Sequence, residues 1–138
     1  MKVRELMSQN TVSLAPDNSV MDAAEALARH HIGMIPVCAP DGRVRGIVTD
    51  RDIVLRCLAC ESAPESTRLR EIMSRGVISV TSDADVREAA QTMASEQIRR
   101  LPVIDGGRLV GVLSLGDLAR CVRFDMEASK ALSRISAR

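Results

Sequence analysis

The chain repeats itself, and that fact limits its fold more than any other. Arg4-Glu5-Leu6-Met7-Ser8 returns as Arg70-Glu71-Ile72-Met73-Ser74, an offset of 66 residues. The same offset carries Ser13 to Ser79, Asp17 to Asp83, Val20 to Val86, Ala23-Ala24 to Ala89-Ala90, Ile32 to Ile98 and Pro36-Val37 to Pro102-Val103. One residue is then lost in a turn, and at an offset of 65 Gly46-Ile47-Val48-Thr49 maps onto Gly111-Val112-Leu113-Ser114 and Asp52-Ile53 onto Asp117-Leu118. A tandem duplication inside 138 residues means two half-size modules. Each buries too little surface to stand alone, so the two are expected to share one core.

Each copy reads as strand, helix, two strands and helix. The leading strands are expected at residues 11–14 and 77–81. Asp17 and Asn18 then precede Val20, Ala23, Ala24 and Leu27, while Asp83 and Asp85 precede Val86, Ala89, Ala90 and Met93, both at helical spacing behind start residues. Strands at 34–38 and 43–49 flank Asp41-Gly42, and strands at 101–104 and 108–114 flank Gly106-Gly107, which is hairpin chemistry. The second helices follow Asp52 and Asp117. The expected class is α+β, two β-α-β-β-α repeats packed about a pseudo-twofold axis, with repeat 1 at 1–60, a polar linker with Pro64 at 61–68, repeat 2 at 69–122 and a helical tail at 123–138.

Composition removes several function classes. Hydrophobic residues at 46% suffice for a core, and a net charge of +1 lacks the basic excess of a nucleic-acid or polybasic membrane binder. Aromatics at 1%, with Phe124 alone, leave no base-stacking platform. No apolar run approaches a membrane span and no leader is evident, so a cytoplasmic protein with no nucleic-acid or membrane partner is expected. Cys38, Cys57, Cys60 and Cys121 then default to reduced thiols.

The repeated Gly-x-x-Thr/Ser-x-x-Asp pattern carries the chemistry. A glycine in a buried strand lets a backbone or a flat ring come close. A hydroxyl at the strand end can meet a ribose or phosphate oxygen, and Asp52 or Asp117 can either cap a helix or accept both hydroxyls of a ribose.

Gly46-Ile47-Val48-Thr49-Asp50-Arg51-Asp52 and Gly111-Val112-Leu113-Ser114-Leu115-Gly116-Asp117, each preceded by Ile-Pro-Val or Leu-Pro-Val, resemble a tandem pair of CBS domains, a Bateman module. The resemblance covers about residues 1–122 and is especially close to small stand-alone bacterial CBS-pair proteins that carry a Thr-Asp-Arg-Asp signature, here Thr49-Asp50-Arg51-Asp52. It implies a non-catalytic regulatory module, usually a homodimer, that binds AMP, ADP, ATP, NAD or S-adenosylmethionine as a regulatory ligand rather than a resident cofactor. On the family pattern Arg99 and Arg100, before the second Pro-Val, face the phosphates of a nucleotide whose ribose is held by Asp52. Val77, Ile78 and Ile98 with Ile47 sandwich adenine, and Thr49 and Arg51 join Asp52 on the ribose and phosphate side.

The sister set, Val12, Ile32, Val112, Ser114 and Asp117, departs from the pattern. Gly33-Met34 stand where the other set has Arg99-Arg100, and Gly116 where it has Arg51. A weaker site, or one for an uncharged adenosyl group, is expected there. Two rival classes stay open. A metal- or redox-responsive module would use Cys57 and Cys60 with His30, His31 or Cys38, although a zinc site wants about four ligands and no second such pair follows. A nucleotide hydrolase would need a positioned base and a metal cluster that the motif lacks. Apolar Val54, Leu55, Leu58 and Leu118 on the second helices point to a homodimer, and Met126, Leu132 and Ile135 in the tail to packing on a partner or a frayed end. The effector protein is not encoded in the pattern.

Overall fold

The computed structural model describes residues 1–120 and 132–135. In chain order it has a 3-10 turn (Val3–Glu5), helix α1 (Val20–His30), strands β1 (Met34–Cys38) and β2 (Val44–Thr49), and helix α2 (Asp50–Ile53) running on as a π-helical stretch (Val54–Leu58). Helices α3 (Leu69–Ile72) and α4 (Val86–Glu96), strands β3 (Arg100–Asp105) and β4 (Arg108–Ser114) and helix α5 (Leu115–Ala119) follow. Residues 132–135 are helical. The α+β class, both main helices and both hairpins are those the repeat implies. Cys121 and Met126 lie outside the described residues, as does most of the expected tail.

The leading strands are shorter than expected. Each comes down to one bridging residue, Leu14 parallel to Val37 and Val80 parallel to Val103. Leu14 donates to the Pro36 carbonyl at 3.1 Å and accepts from the Cys38 N–H at 2.8 Å. Pairing stops there because turns take over the backbone: Asn18 N–H closes on the Ala15 carbonyl at 3.0 Å, and Ala84 N–H on the Thr81 carbonyl at 3.2 Å. The cap of α1 is Ser19, whose Oγ accepts from Asp22 N–H at 3.0 Å while the Asp22 carboxylate accepts from Ser19 N–H at 3.1 Å. Asn18, expected as a start residue, supports that box by donating to Asp22. Asp85 caps α4.

The chain packs as two compact units that do not follow chain order. One holds Val12–Val77 with Gly107–Leu109; the other holds Met1–Thr11, Ile78–Gly106 and the chain from Val110 onward. The repeated Arg-Glu-Leu/Ile-Met-Ser arm at the head of each copy therefore completes the unit of the other copy. In one unit Val3 N–H bonds the Ala84 carbonyl at 2.9 Å, Val86 N–H bonds the Met1 carbonyl at 3.0 Å, and Arg4 pairs with Asp83. In the other, Leu69 N–H bonds the Asn18 carbonyl at 2.9 Å, Val20 N–H bonds the Thr67 carbonyl at 2.9 Å, and Arg70 pairs with Asp17. These ion pairs are exposed and water-screened, so burial dominates. Val3 and Leu69 are fully buried, and burying one such side chain stabilises by roughly 1.5–3 kcal/mol.

Buried apolar residues form two clusters in place of one shared core. Val3 joins Val86, Met93, Leu101, Leu113 and Leu118 in one; Leu69, Ile72 and Met73 join Val20, Leu27, Ile35 and Val48 in the other. Leu118, expected on an outer face, is thus core, because α5 turns it inward; Val54, Leu55 and Leu58 stay exposed.

Each arm closes its sheet by crossing the glycine strand. Ile47 and Ser74 exchange two backbone hydrogen bonds at 2.9 Å, and Ser8 and Val112 do the same at 2.9 and 3.0 Å. A side chain on Gly46 would put its Cβ 2.6 Å from the Ser74 carbonyl oxygen and 3.0 Å from Met73 Sδ; on Gly111 it would meet Met7 Sδ at 2.6 Å and the Ser8 carbonyl at 2.9 Å. The crossing also explains a proline inside a strand. Pro36 lies opposite Ile47, which turns its N–H and C=O away to Ser74, so the proline's missing N–H costs no ladder bond.

Gly46→Ala should therefore lower stability by roughly 1–3 kcal/mol. Gly111→Ala should cost less, because part of its clash is with the flexible end of Met7, and Gly76→Ala, with nothing within 4 Å, should cost least. Equilibrium urea unfolding checks the order; a Gly46→Ala midpoint equal to wild type would contradict the close crossing.

Candidate functional site

Both motifs sit where a strand hands over to a helix. At the end of β2, Thr49 keeps an extended backbone (φ −114°, ψ 164°) and caps α2. Its Oγ1 accepts from Asp52 N–H at 3.1 Å, and Asp52 Oδ2 accepts from Thr49 N–H at 3.0 Å. At the end of β4, Asp117 N–H donates to Ser114 Oγ at 3.0 Å and Ser114 N–H to Asp117 Oδ2 at 2.8 Å. The aspartates are therefore not the caps. The helices begin at Asp50 and Leu115, so Thr49 and Ser114 take that role and the aspartates close the boxes from the third helical position.

This arrangement sets what the carboxylates can still do. Asp52 is 9% exposed, with one oxygen spent on the box; the other, Oδ1, lies 3.7 Å from Arg56 Nε. Arg56 Nη1 in turn donates to the Ile72 carbonyl at 3.0 Å, tying Asp52 to the end of α3. Arg120 pairs with Asp117 Oδ1 in the same way. Both oxygens of each carboxylate are thus engaged, Oδ2 in the box and Oδ1 with an arginine, so a ligand hydroxyl would have to share Oδ1 with Arg56 or Arg120 through its second lone pair or displace that guanidinium, while the Thr49 and Ser114 hydroxyls keep a proton to donate. Arg56 and Arg120 are the residues that motif reading passes over. Their signal was present: an arginine four or three residues after an aspartate on a helix faces it.

The expected site residues divide between the units. Ile47, Thr49, Arg51, Asp52 and Val77 belong to one, with Val12 and Ile32 of the sister set; Ile78, Ile98, Arg99 and Arg100 belong to the other, with Val112, Ser114 and Asp117. Ile47, Val77, Ile98, Val12, Ile32 and Val112 are half-buried, whereas Arg51, Arg99, Arg100 and Ile78 are exposed. Within its own unit, the Arg99 carbonyl accepts from Leu115 N–H at 2.8 Å, which sets Arg99-Arg100 beside the Ser114 and Asp117 box. The matching corner of the other unit is charge-reversed. There Gly33 takes the place of Arg99, its carbonyl accepting from Asp50 N–H at 3.2 Å, and a Cβ at Gly33 would lie 3.5 Å from the Asp50 carboxylate.

The thiols are occupied otherwise. Cys57 is fully buried with Sγ 3.4 Å from the Ser62 carbonyl, and the exposed Cys60 faces the Leu55 carbonyl at 3.5 Å. Burial pushes the Cys38 thiol up, with a hydrogen bond to Ser13 partly opposing it, so the thiolate needed for metal binding is disfavoured. His30 ends α1 and His31 forms its left-handed C-cap. Among the described residues no group of three or more His, Cys, Asp or Glu converges as a metal site. Nor is any described helix long and apolar enough to cross a membrane.

A family model of the CBS domain matches residues 3–58 and again 69–123. The chain belongs to the CBS-domain family. It is a tandem pair, and its CBS repeats exchange their leading arms between the two compact units. CBS domain-containing protein YhcV of Bacillus subtilis is 37% identical over 134 residues, spanning 97% of this chain and 94% of the relative. A crystal structure of Hypoxic Response Protein I with two coordinated zinc ions has a TM-score of 0.80 at 32% identity, covering 88% of this chain and 99% of that one. The CBS domain pair of protein MJ0100, solved in complex with methylthioadenosine and S-adenosyl-L-methionine, has a TM-score of 0.74 at 30% identity, covering 87% and 94%.

Proposed function

We propose that this CBS pair is a non-catalytic, cytoplasmic regulatory module that binds an adenosine-containing ligand, AMP, ADP, ATP, NAD or S-adenosylmethionine, and reports its level to an effector protein. The observation that carries the reading is the twice-built strand-end box, in which the Oδ1 of Asp52 or Asp117 faces only an exposed arginine that a ribose hydroxyl can share it with or displace. The adenosyl ligands of the MJ0100 pair support the ligand class. Asp52 and Thr49 take the ribose, Arg51, Arg99 and Arg100 the phosphates, and Ile47, Val77, Ile78 and Ile98 the adenine. The Ser114 and Asp117 set is the weaker site.

A second assignment has one observation in its favour. Arg99 is tied to Leu115, beside Asp117, so the same arginines could serve the Ser114 and Asp117 set instead. The metal- or redox-responsive alternative has less support, since Cys57 and Cys60 face separate backbone carbonyls.

Calorimetric titration with AMP, ATP and S-adenosylmethionine separates these. Asp52→Ala or Arg100→Ala should weaken the tighter site about ten- to a hundredfold, the worth of one charge-assisted hydrogen bond, and Asp117→Ala should leave it nearly unchanged. The reverse pattern would move the working site to Asp117, and failure of these three together with ADP and NAD to bind would remove the ligand class.

We also propose a homodimer, on the exposed apolar stripe of Val54, Leu55 and Leu58, which are 53%, 49% and 53% exposed. Light scattering at micromolar concentration should return twice 15.0 kDa, falling to the monomer mass for Leu55→Asp with Leu58→Asp. A monomeric wild type contradicts it.

A further inference from the structure

The far end of the first hairpin carries charge that the nucleotide reading does not use. Its turn is closed by Ala39 N–H to the Arg43 carbonyl at 2.8 Å and Gly42 N–H to the Ala39 carbonyl at 2.9 Å, with Gly42 at φ 87°. Residues 107–109 pair across it in the same compact unit: Val44 N–H bonds the Gly107 carbonyl at 2.9 Å and Leu109 N–H the Gly42 carbonyl at 3.2 Å, which sets Arg43 opposite Arg108. Asp41 organises both side chains. Its Oδ1 accepts from Arg43 N–H at 3.0 Å, its Oδ2 lies 3.6 Å from Arg43 Nε, and its carbonyl accepts from Arg108 Nε at 3.0 Å. Arg45, exposed and two residues beyond Arg43, adds a third guanidinium to the field on Asp41.

We propose that this hairpin-tip face, Arg43, Arg45 and Arg108 around Asp41, is a docking surface for an acidic peptide segment of a partner protein. Three cations share one carboxylate here, whereas the whole chain carries a net charge of only +1. Arg43, Arg45 and Arg108 are all exposed, although Arg43 Nη1 lies against Gly107, and a guanidinium edge matches a carboxylate in bidentate fashion. The Arg43 N–H first, with the fields of Arg43, Arg108 and Arg45, holds the Asp41 carboxyl below its ordinary range, so the central anion persists as the partner approaches. That central charge selects the ligand. It repels a compact polyanion seated over the middle of the face but leaves separate forks for carboxylates spaced along a peptide.

Fluorescence anisotropy with a labelled hexaglutamate peptide at low ionic strength tests this on the full chain. Binding should saturate, fall as salt is raised toward physiological strength, and weaken roughly two- to fivefold for Arg45→Gln. The triple Arg43→Gln, Arg45→Gln, Arg108→Gln variant should show no measurable binding; if it does not fold, Arg45→Gln alone decides. Arg29→Gln makes the same charge change at the exposed end of α1 and should leave binding unaltered. Equal losses in Arg45→Gln and Arg29→Gln overturn the proposal, as does inorganic polyphosphate or duplex DNA displacing the peptide at a lower concentration of charge. Adenosyl-ligand titration of Arg45→Gln should match wild type, so the two readings fail separately.

Discussion

How close one backbone can come to another decides most of what this chain does. At Gly46 and Gly111 a strand is crossed by an arm whose carbonyl oxygen would stand 2.6 and 2.9 Å from any added Cβ. Only at that distance can Ser74 and Ser8 pair with Ile47 and Val112. The pairing covers one edge of each two-stranded sheet, as Leu14 and Val80 cover the other, so hairpins that would be marginal alone gain neighbours on both sides. It also carries Val3 in one unit, and Leu69, Ile72 and Met73 in the other, into cores they complete. The proline of the Ile-Pro-Val motif and the glycine of the Gly-Ile-Val-Thr motif are thus one device seen from two strands.

Much of this was legible in the residues because the duplication offered each element twice. Helices α1 and α4 and both hairpins follow from apolar spacing and from Asp41-Gly42 and Gly106-Gly107, signals that are local and agree between copies. Which arm packs in which unit was not legible. Arg4-Glu5-Leu6-Met7-Ser8 and Arg70-Glu71-Ile72-Met73-Ser74 present nearly the same side chains, so either pairing satisfies the pattern, and only the fold chooses. The leading strands are shorter than the repeat implies because the turns at Ala15 and Thr81, set by backbone hydrogen bonds, decide how far each stretch extends. Leu118 lies in the core for a related reason: cluster members such as Val3 and Val86 are remote from it in sequence.

The same distinction holds at the candidate site. That Asp52 and Asp117 stand at helix starts was readable; that Thr49 and Ser114 cap those helices, and that Arg56 and Arg120 face the remaining carboxylate oxygens, depends on where the first turn begins. The two motifs are nearly identical as boxes and differ in what surrounds them. Gly33 beside Asp50 and Arg99 beside Leu115 give otherwise equivalent corners opposite charge, which is how a duplicated fold can come to hold ligands unequally. Function in this family member is therefore read from the few positions where the copies diverge.

Native-state hydrogen exchange, followed residue by residue by NMR, bears most directly on the arm crossing. The amides of Ser8, Ile47, Ser74 and Val112 each donate a backbone hydrogen bond across it. They should exchange only through global unfolding, at rates shared with hairpin-core amides such as Ile35 and Val48. Exchange of these four amides as fast as that of the exposed Gln9 and Asn10 would contradict the account, because the arms would then not close the sheets.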